Sequence, residues 1–138
     1  MIKVYIASPY TKGDVAVNVR TQLETANKLM NWGFAPFAPL YSHFQHMAFP
    51  RPYEDWIKID LEWVKVCDAV LRLPGESNGA DGEVFFAQQN NIPVFYSIWE
   101  LCKHFGLVIE NQTEGPQGQI GPQSDRSGGD IGNGYLSW

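Results

Sequence analysis

Residues 69–96 read AVLRLPGESNGADGEVFFAQQNNIPVFY, and the succession of residue types in this stretch sets the fold class. Residues 69–73 are apolar except for Arg72 and predict a buried strand, which Pro74 and Gly75 end. A small, polar, glycine-rich loop runs from there to Gly82, and residues 83–90 predict a helix. Residues 92–96 predict the next strand. Two strands joined by one helix through short connections pair in parallel, because the helix carries the chain back to the starting edge.

The same alternation extends outward in both directions. Residues 2–7 form an apolar, β-branched run that ends at Ser8-Pro9 and predicts the first strand. After a loop over residues 8–13, Asp14 is placed to cap a helix whose buried stripe is Val19, Leu23, Ala26 and Met30, at steps of four, three and four. Gly33 closes that helix, and residues 34–37 predict a second short strand. Pro36, Pro39, Pro50 and Pro52 then bound an aromatic and histidine-rich loop that cannot be continuous helix or central strand. Pro52 suits the first turn of a helix whose stripe is Trp56, Ile59, Trp63 and Val66, with Asp60 among those anchors. Ser97 caps a last helix that ends at Gly106.

The expected architecture is α/β: a single three-layer, Rossmann-like (flavodoxin-like) domain with a mostly parallel sheet, over residues 1–110. Residues 111–138 form an irregular C-terminal tail rich in Gly, Gln and Ser, since seven of the 13 glycines fall in residues 115–134. Its end, Tyr135-Leu136-Ser137-Trp138, is apolar enough to dock on its own domain, on a neighbouring subunit or over the active site.

With 138 residues the chain can bury a core without metal or disulfide staples. Its 10 Lys and Arg against 15 Asp and Glu leave a net charge of −5, which argues against nucleic-acid polymers and anionic membranes as partners. No apolar run approaches the ~20 residues that span a bilayer, and residues 1–10 lack the basic segment and long apolar stretch of a signal peptide, so a cytoplasmic protein is expected. Cys67 and Cys102 form no CxxC pair and read as small buried hydrophobes.

In an open parallel sheet, ligands bind beyond the carboxyl ends of the strands. The segments expected there are residues 8–13, the loop around His43, and residues 74–82. The last is able to turn backbone N–H groups and the Ser77 hydroxyl toward an anion, although such loops also serve as plain connectors. Glu83, expected in the first helical turn, is either a nucleophile or base favoured by the helix dipole or an ordinary helix-start glutamate. Asp60, close to Trp56 and Trp63, is either a carboxyl of raised pKa or a solvated side chain beside the stripe. Two carboxyls meeting in one pocket suit glycosidic bond cleavage. His43 and His46 lack a third metal ligand at persuasive spacing, so ligand contact or loop packing is expected of them and no metal. Tyr5 is a core aromatic or orients a carboxylate, and Trp56 and Phe44 are core or wall a flat ligand.

Val4-Tyr5-Ile6-Ala7-Ser8, Asp60-Leu61-Glu62-Trp63 through Cys67-Asp68-Ala69-Val70, and residues 77–83 together resemble the nucleoside 2-deoxyribosyltransferase superfamily, over roughly residues 1–106. That superfamily includes nucleoside transferases and 2'-deoxynucleoside 5'-monophosphate N-glycosidases. The resemblance implies that Glu83 is the nucleophile attacking C1', that Asp60 protonates or positions the base, and that Tyr5 holds the nucleophile. It also implies that residues 8–13, with Ser8, Tyr10, Lys12 and Gly13, receive the 5' end of the sugar. Substrate contacts from His43 and Trp56 complete the expected site. Where the transferases resemble one another in carrying an aspartate six residues before the nucleophile, this chain has Ser77-Asn78-Gly79, which resembles the monophosphate hydrolases. A hydroxyl and bare amides suit a phosphate that an aspartate would repel. An arginine frequent in the hydrolase loop is absent: this chain has Tyr10, Thr11 and Lys12 instead, and Asp81 adds a negative charge nearby.

The expectation is therefore a 2'-deoxynucleoside 5'-monophosphate N-hydrolase working through a covalent deoxyribosyl-glutamate, with no cofactor, on a small-molecule deoxynucleotide or deoxynucleoside. A homodimer or larger homo-oligomer is implied by the resemblance. The alternatives are a transferase exchanging bases between deoxynucleosides, a non-catalytic nucleotide-binding or sensing module, and an enzyme acting on a ribonucleotide or dinucleotide. The aromatic segment over residues 37–49 is where choice of base is expected.

Overall fold

The computed structural model describes residues 1–107, so the tail over residues 111–138 and the boundary expected at residue 110 lie outside the described residues. Strand β1 (Lys3–Ala7) is followed by helix α1 (Val15–Asn31), strand β2 (Ala35–Phe37), a 3-10 turn (Pro39–Tyr41) and helix α2 (Ser42–Ala48). Helix α3 (Tyr53–Val66), strand β3 (Ala69–Arg72), helix α4 (Asn78–Gln89), strand β4 (Val94–Phe95) and helix α5 (Ile98–His104) complete the alternation. The four strands form one sheet in the order β2-β1-β3-β4. All three pairings are parallel, with Tyr5 opposite Phe37 on one side and Val70 on the other. This is the α/β, flavodoxin-like architecture expected from the alternation.

Side chains alternate across the strands, and each face makes its own core. Val4, Ile6, Ala69 and Leu71 point to one face, where Ala26 and Leu29 of α1, Phe34, and Leu101 and Cys102 of α5 close over them. Tyr5, Ala7 and Val70 point to the other, under Val64 of α3 and Ala80, Val84 and Ala87 of α4. Both cysteines are buried and unpaired.

Capping follows the expected chemistry. The Asp14 carboxylate accepts from the Val17 N–H at 3.1 Å, and the Ser97 hydroxyl accepts from the Glu100 N–H at 3.1 Å. Three helical details differ from expectation. In α1 the buried face is Val19, Gln22, Thr25, Ala26 and Leu29, while Met30 is exposed. In α3 it is Val64 that is buried, whereas Ile59, Trp63 and Val66 are exposed. Asp60 lies four residues before Val64 and so shares its inner face. The segment between Pro39 and Pro52 holds a 3-10 turn and the short α2, since its prolines limit a helix at its ends without preventing one between them.

Candidate active site

A cavity of about 590 Å³ opens beyond the carboxyl ends of β1, β2 and β3. Its first wall is the segment after β1, with Ser8, Tyr10, Thr11 and Lys12. The second comes from Leu40, Ser42 and His46, the third from Arg51, Tyr53, Trp56, Ile57 and Asp60, and the fourth from residues 76–80 and Glu83. Such a size is ordinary for a small-molecule site.

Helix α4 begins at Asn78, earlier than the loop reading predicts, because the Ser77 hydroxyl caps it by accepting from the Ala80 N–H at 3.1 Å. Gly79 and Gly82 are thus helical, and Glu83 stands in the second turn, beyond the free N–H groups of the helix start. The helix dipole therefore does not favour an ionised Glu83. Its side chain is only 7 % exposed, and burial, with the Asp60 charge adding to it, pushes the carboxyl up to about 8. The Tyr5 hydroxyl and Arg72 pull in the opposite direction. Asp60 is raised to about 7 by burial.

Beneath the cavity floor, the Tyr5 hydroxyl is buried and so is Glu83 Oε2, and neither has a hydrogen-bond partner among the described residues. The Tyr5 hydroxyl is near enough to Glu83 to favour its ionised form as a hydrogen-bond donor, yet the geometry falls short of a formed hydrogen bond. A donor and an acceptor are thus left facing each other, ready to pair when Glu83 carries its charge. Burial, and Glu83 after it, hold the Tyr5 phenol well above its ordinary range, so Tyr5 stays a donor.

Arg72, the polar residue of β3, is buried and holds the segment between β3 and α4. Its guanidinium donates to the Leu73 carbonyl, to the Gly75 carbonyl at 2.8 Å and to Asp81 Oδ1 at 2.9 Å. The Asp81 charge is therefore matched by Arg72, and Asp81 does not line the cavity. Gly75 has φ +117°, and a Cβ there would sit 2.7 Å from Pro9 Cγ, so only glycine lets this segment pass the turn after β1. At Gly79 a Cβ would come within 2.8 Å of the Tyr53 hydroxyl, which places Tyr53 against the start of α4.

Of the residues singled out in the sequence, Glu83, Asp60, Ser8, Tyr10, Lys12, Trp56, Ser77 and Gly79 meet at this cavity. Gly13 does not line it. His43 lies outside it, in a separate groove with Phe44 and Met47 against α1, and its Nδ1 pairs with the Tyr10 hydroxyl at 2.5 Å. His46, one helical turn on toward α3, lines the cavity instead. Lys12 Nζ is paired with Glu76 Oε1 at 2.7 Å at the cavity edge.

Sequence reasoning missed Gln22. This fully buried amide donates to the Ile6 carbonyl at 3.2 Å and the Ser8 hydroxyl at 2.8 Å, and accepts from the Leu40 N–H at 2.8 Å. It ties two walls of the cavity together. The signal that could have found it was a long polar residue one position from Leu23, on the face that Val19 and Ala26 bury. Among the described residues no group of three or more His, Cys, Asp or Glu side chains converges as metal ligands would, and no helix is long and apolar enough to cross a membrane.

No curated protein matches the chain. A solved 2-deoxyribosyltransferase from the psychrotolerant bacterium Bacillus psychrosaccharolyticus is similar to it at 20% sequence identity, with a TM-score of 0.45, over 67% of this chain and 69% of that one. Residues 2–97 match the model of a family described as a domain of unknown function, DUF7768, which covers most of the chain, and the protein belongs to that family.

Proposed function

We propose that this protein is an enzyme that cleaves the N-glycosidic bond of 2'-deoxynucleoside 5'-monophosphates, with Glu83 as nucleophile. The observation that supports it is the meeting of Glu83 and Asp60, from two different helices, in one cavity where burial raises Asp60 to about 7 and burial with the Asp60 charge raises Glu83 to about 8. Carboxyls so coupled share protons, and near neutrality the pair holds about one, which rests mainly on Glu83, the higher of the two, and moves to Asp60 to give the reactive form. With that proton on Asp60 and Glu83 ionised, an oxygen of Glu83 attacks C1' while the bond from C1' to the base breaks. The bonding electrons leave with the base, which takes the proton from Asp60. Asp60, now a carboxylate, then removes a proton from water attacking C1', and the ester opens to return Glu83 and release deoxyribose 5-phosphate. Tyr5 donates to the ionised form of Glu83 and so raises the share of the reactive arrangement.

The 5'-phosphate is assigned to the end of the cavity formed by Ser8, Tyr10, Lys12, Ser77 and Gly79. The free N–H groups at the start of α4, where Gly79 removes a side chain, suit an anion, and the pairing of Asp81 with Arg72 lowers the repulsion expected from Asp81. Cytoplasmic location and assembly into a homo-oligomer belong to the same proposal, and require no added cofactor.

Chromatographic analysis tests it: the protein and its Glu83→Ala variant are incubated with each deoxynucleoside 5'-monophosphate and with its unphosphorylated counterpart. Free base from monophosphates, absent with the variant, is the expected result. Exchange of bases between free nucleosides alone would make the chain a transferase. Absence of any reaction would make it a nucleotide-binding module.

A further inference from the structure

The wall formed by α2 and the start of α3 presents a one-sided set of hydrogen-bonding groups. His46 Nδ1 accepts from the Trp56 indole N–H at 3.1 Å and from the Arg51 backbone N–H at 3.3 Å. An imidazole nitrogen that accepts two N–H groups carries no proton of its own, so the ring proton is on Nε2. His46 lines the cavity, and Nε2 makes no hydrogen bond among the described residues, which leaves a donor available there. Trp56 stands edge-on to the imidazole at 74°, and the indole N–H that could have faced a ligand is spent on fixing the tautomer. Arg51 also lines the cavity, and its guanidinium carries donors only, with Asp55 at 3.4 Å as a long, exposed partner. The Ser42 hydroxyl takes either role.

We infer that this wall selects a base with adjacent acceptors on its outer edge, a 6-oxopurine, through the Nε2–H of His46 and the guanidinium of Arg51. This deepens the deoxynucleotide reading above and rests on it. Guanine and hypoxanthine carry O6 and N7 side by side, both acceptors, whereas adenine places an amino donor where O6 would be. A donor opposed to the His46 donor makes no hydrogen bond and displaces water from both groups, and a pyrimidine lacks the second acceptor. His46 is thus a specificity-determining residue, and Trp56 positions it by holding its tautomer.

Equilibrium binding to the Glu83→Gln protein tests this without turnover, using dGMP, dIMP and dAMP as probes. The expected result is dGMP and dIMP binding about tenfold or more tighter than dAMP. Adding His46→Phe should erase that difference by weakening dGMP and dIMP while dAMP changes little. Trp56→Phe, which frees Nδ1 to turn, should narrow the difference while keeping an aromatic wall, and thermal melts of both variants check that the fold persists. Equal binding of dAMP, or an equal loss for all three probes in His46→Phe, overturns the inference. Discrimination in binding, with no base released by the protein that retains Glu83, upholds the selectivity and removes the hydrolase reading. Base release without discrimination does the reverse, and absence of binding by every probe overturns both.

Discussion

The two faces of the sheet are built from alternate residues of the same strands, yet they are opposites in chemistry. Over Val4, Ile6 and Leu71 the cover from Leu29, Phe34 and Leu101 is apolar, and the buried polar groups of α1, Gln22 and Thr25, carry no charge. Over Tyr5, Ala7 and Val70 the apolar cover of α3 and α4 gives way to a phenol and two carboxyls, the buried Glu83 and the half-buried Asp60. One face gains stability from the apolar groups it buries. The other gives some up, because each carboxyl raised by burial opposes folding once pH passes its unfolded value. The proposed chemistry lies where burial is incomplete and polar, on a frame whose opposite side is mostly apolar.

Breaking the polar face should have the largest effect on chemistry. Asp60→Asn is expected to lower kcat for base release about 10²- to 10⁴-fold, with little change in fold, by steady-state kinetics. The parent should show a bell-shaped pH profile, since activity needs one proton on the pair, and the variant should lose the alkaline limb. Breaking the apolar face should act on stability instead. Leu29→Ala, at a side chain wholly buried under β1, is expected to cost about 2–5 kcal/mol in denaturant unfolding, while folded protein keeps its kcat.

A sharper comparison comes from pH. Glu83 goes from 4.5 to about 8 and Asp60 from 3.8 to about 7 on folding, so the folded chain holds more protons than the unfolded one between about 4 and 8. Stability therefore falls as pH rises through that window. Glu83→Gln removes one of these groups, so its Tm should exceed the parent's by at least about 4 °C at pH 8–9 and match it near pH 4. The smallest effect is expected at the exposed rim. Lys12→Ala breaks a solvated pair with Glu76 and should shift stability by less than about 1 kcal/mol, while raising KM for monophosphates more than for free nucleosides.

Much of the fold was legible because strand and helix periods are written locally. The apolar run before Ser8, the Asp14 and Ser97 caps and the βαβ pattern of residues 69–96 all point to the observed sheet. Helix faces were less legible. Trp63 looks like core by residue type, but a half-exposed Trp63 stacks on Phe37 at 4.9 Å, and the inner position belongs to Asp60 and Val64. The start of α4 was misplaced because Gly79 and Gly82 lower helix propensity, while the Ser77 cap and tertiary contact override it. The carboxyl pair was legible as two candidates, but their meeting depends on how α3 and α4 pack. The partners of Gln22 lie far off in sequence, and those of Arg72 and His46, though nearer, depend on how the segments after β3 and α2 turn, which no residue pattern announces.

The central claim is that Glu83 becomes covalently bound to the sugar. Rapid mixing with a deoxynucleoside 5'-monophosphate, acid quenching and mass spectrometry of the digested chain measure this directly. The account predicts added mass equal to deoxyribose phosphate on the peptide that contains Glu83, present before base release is complete and absent from Glu83→Ala. Base release by the parent with no such adduct at any time, or undiminished release by Glu83→Ala, would contradict it.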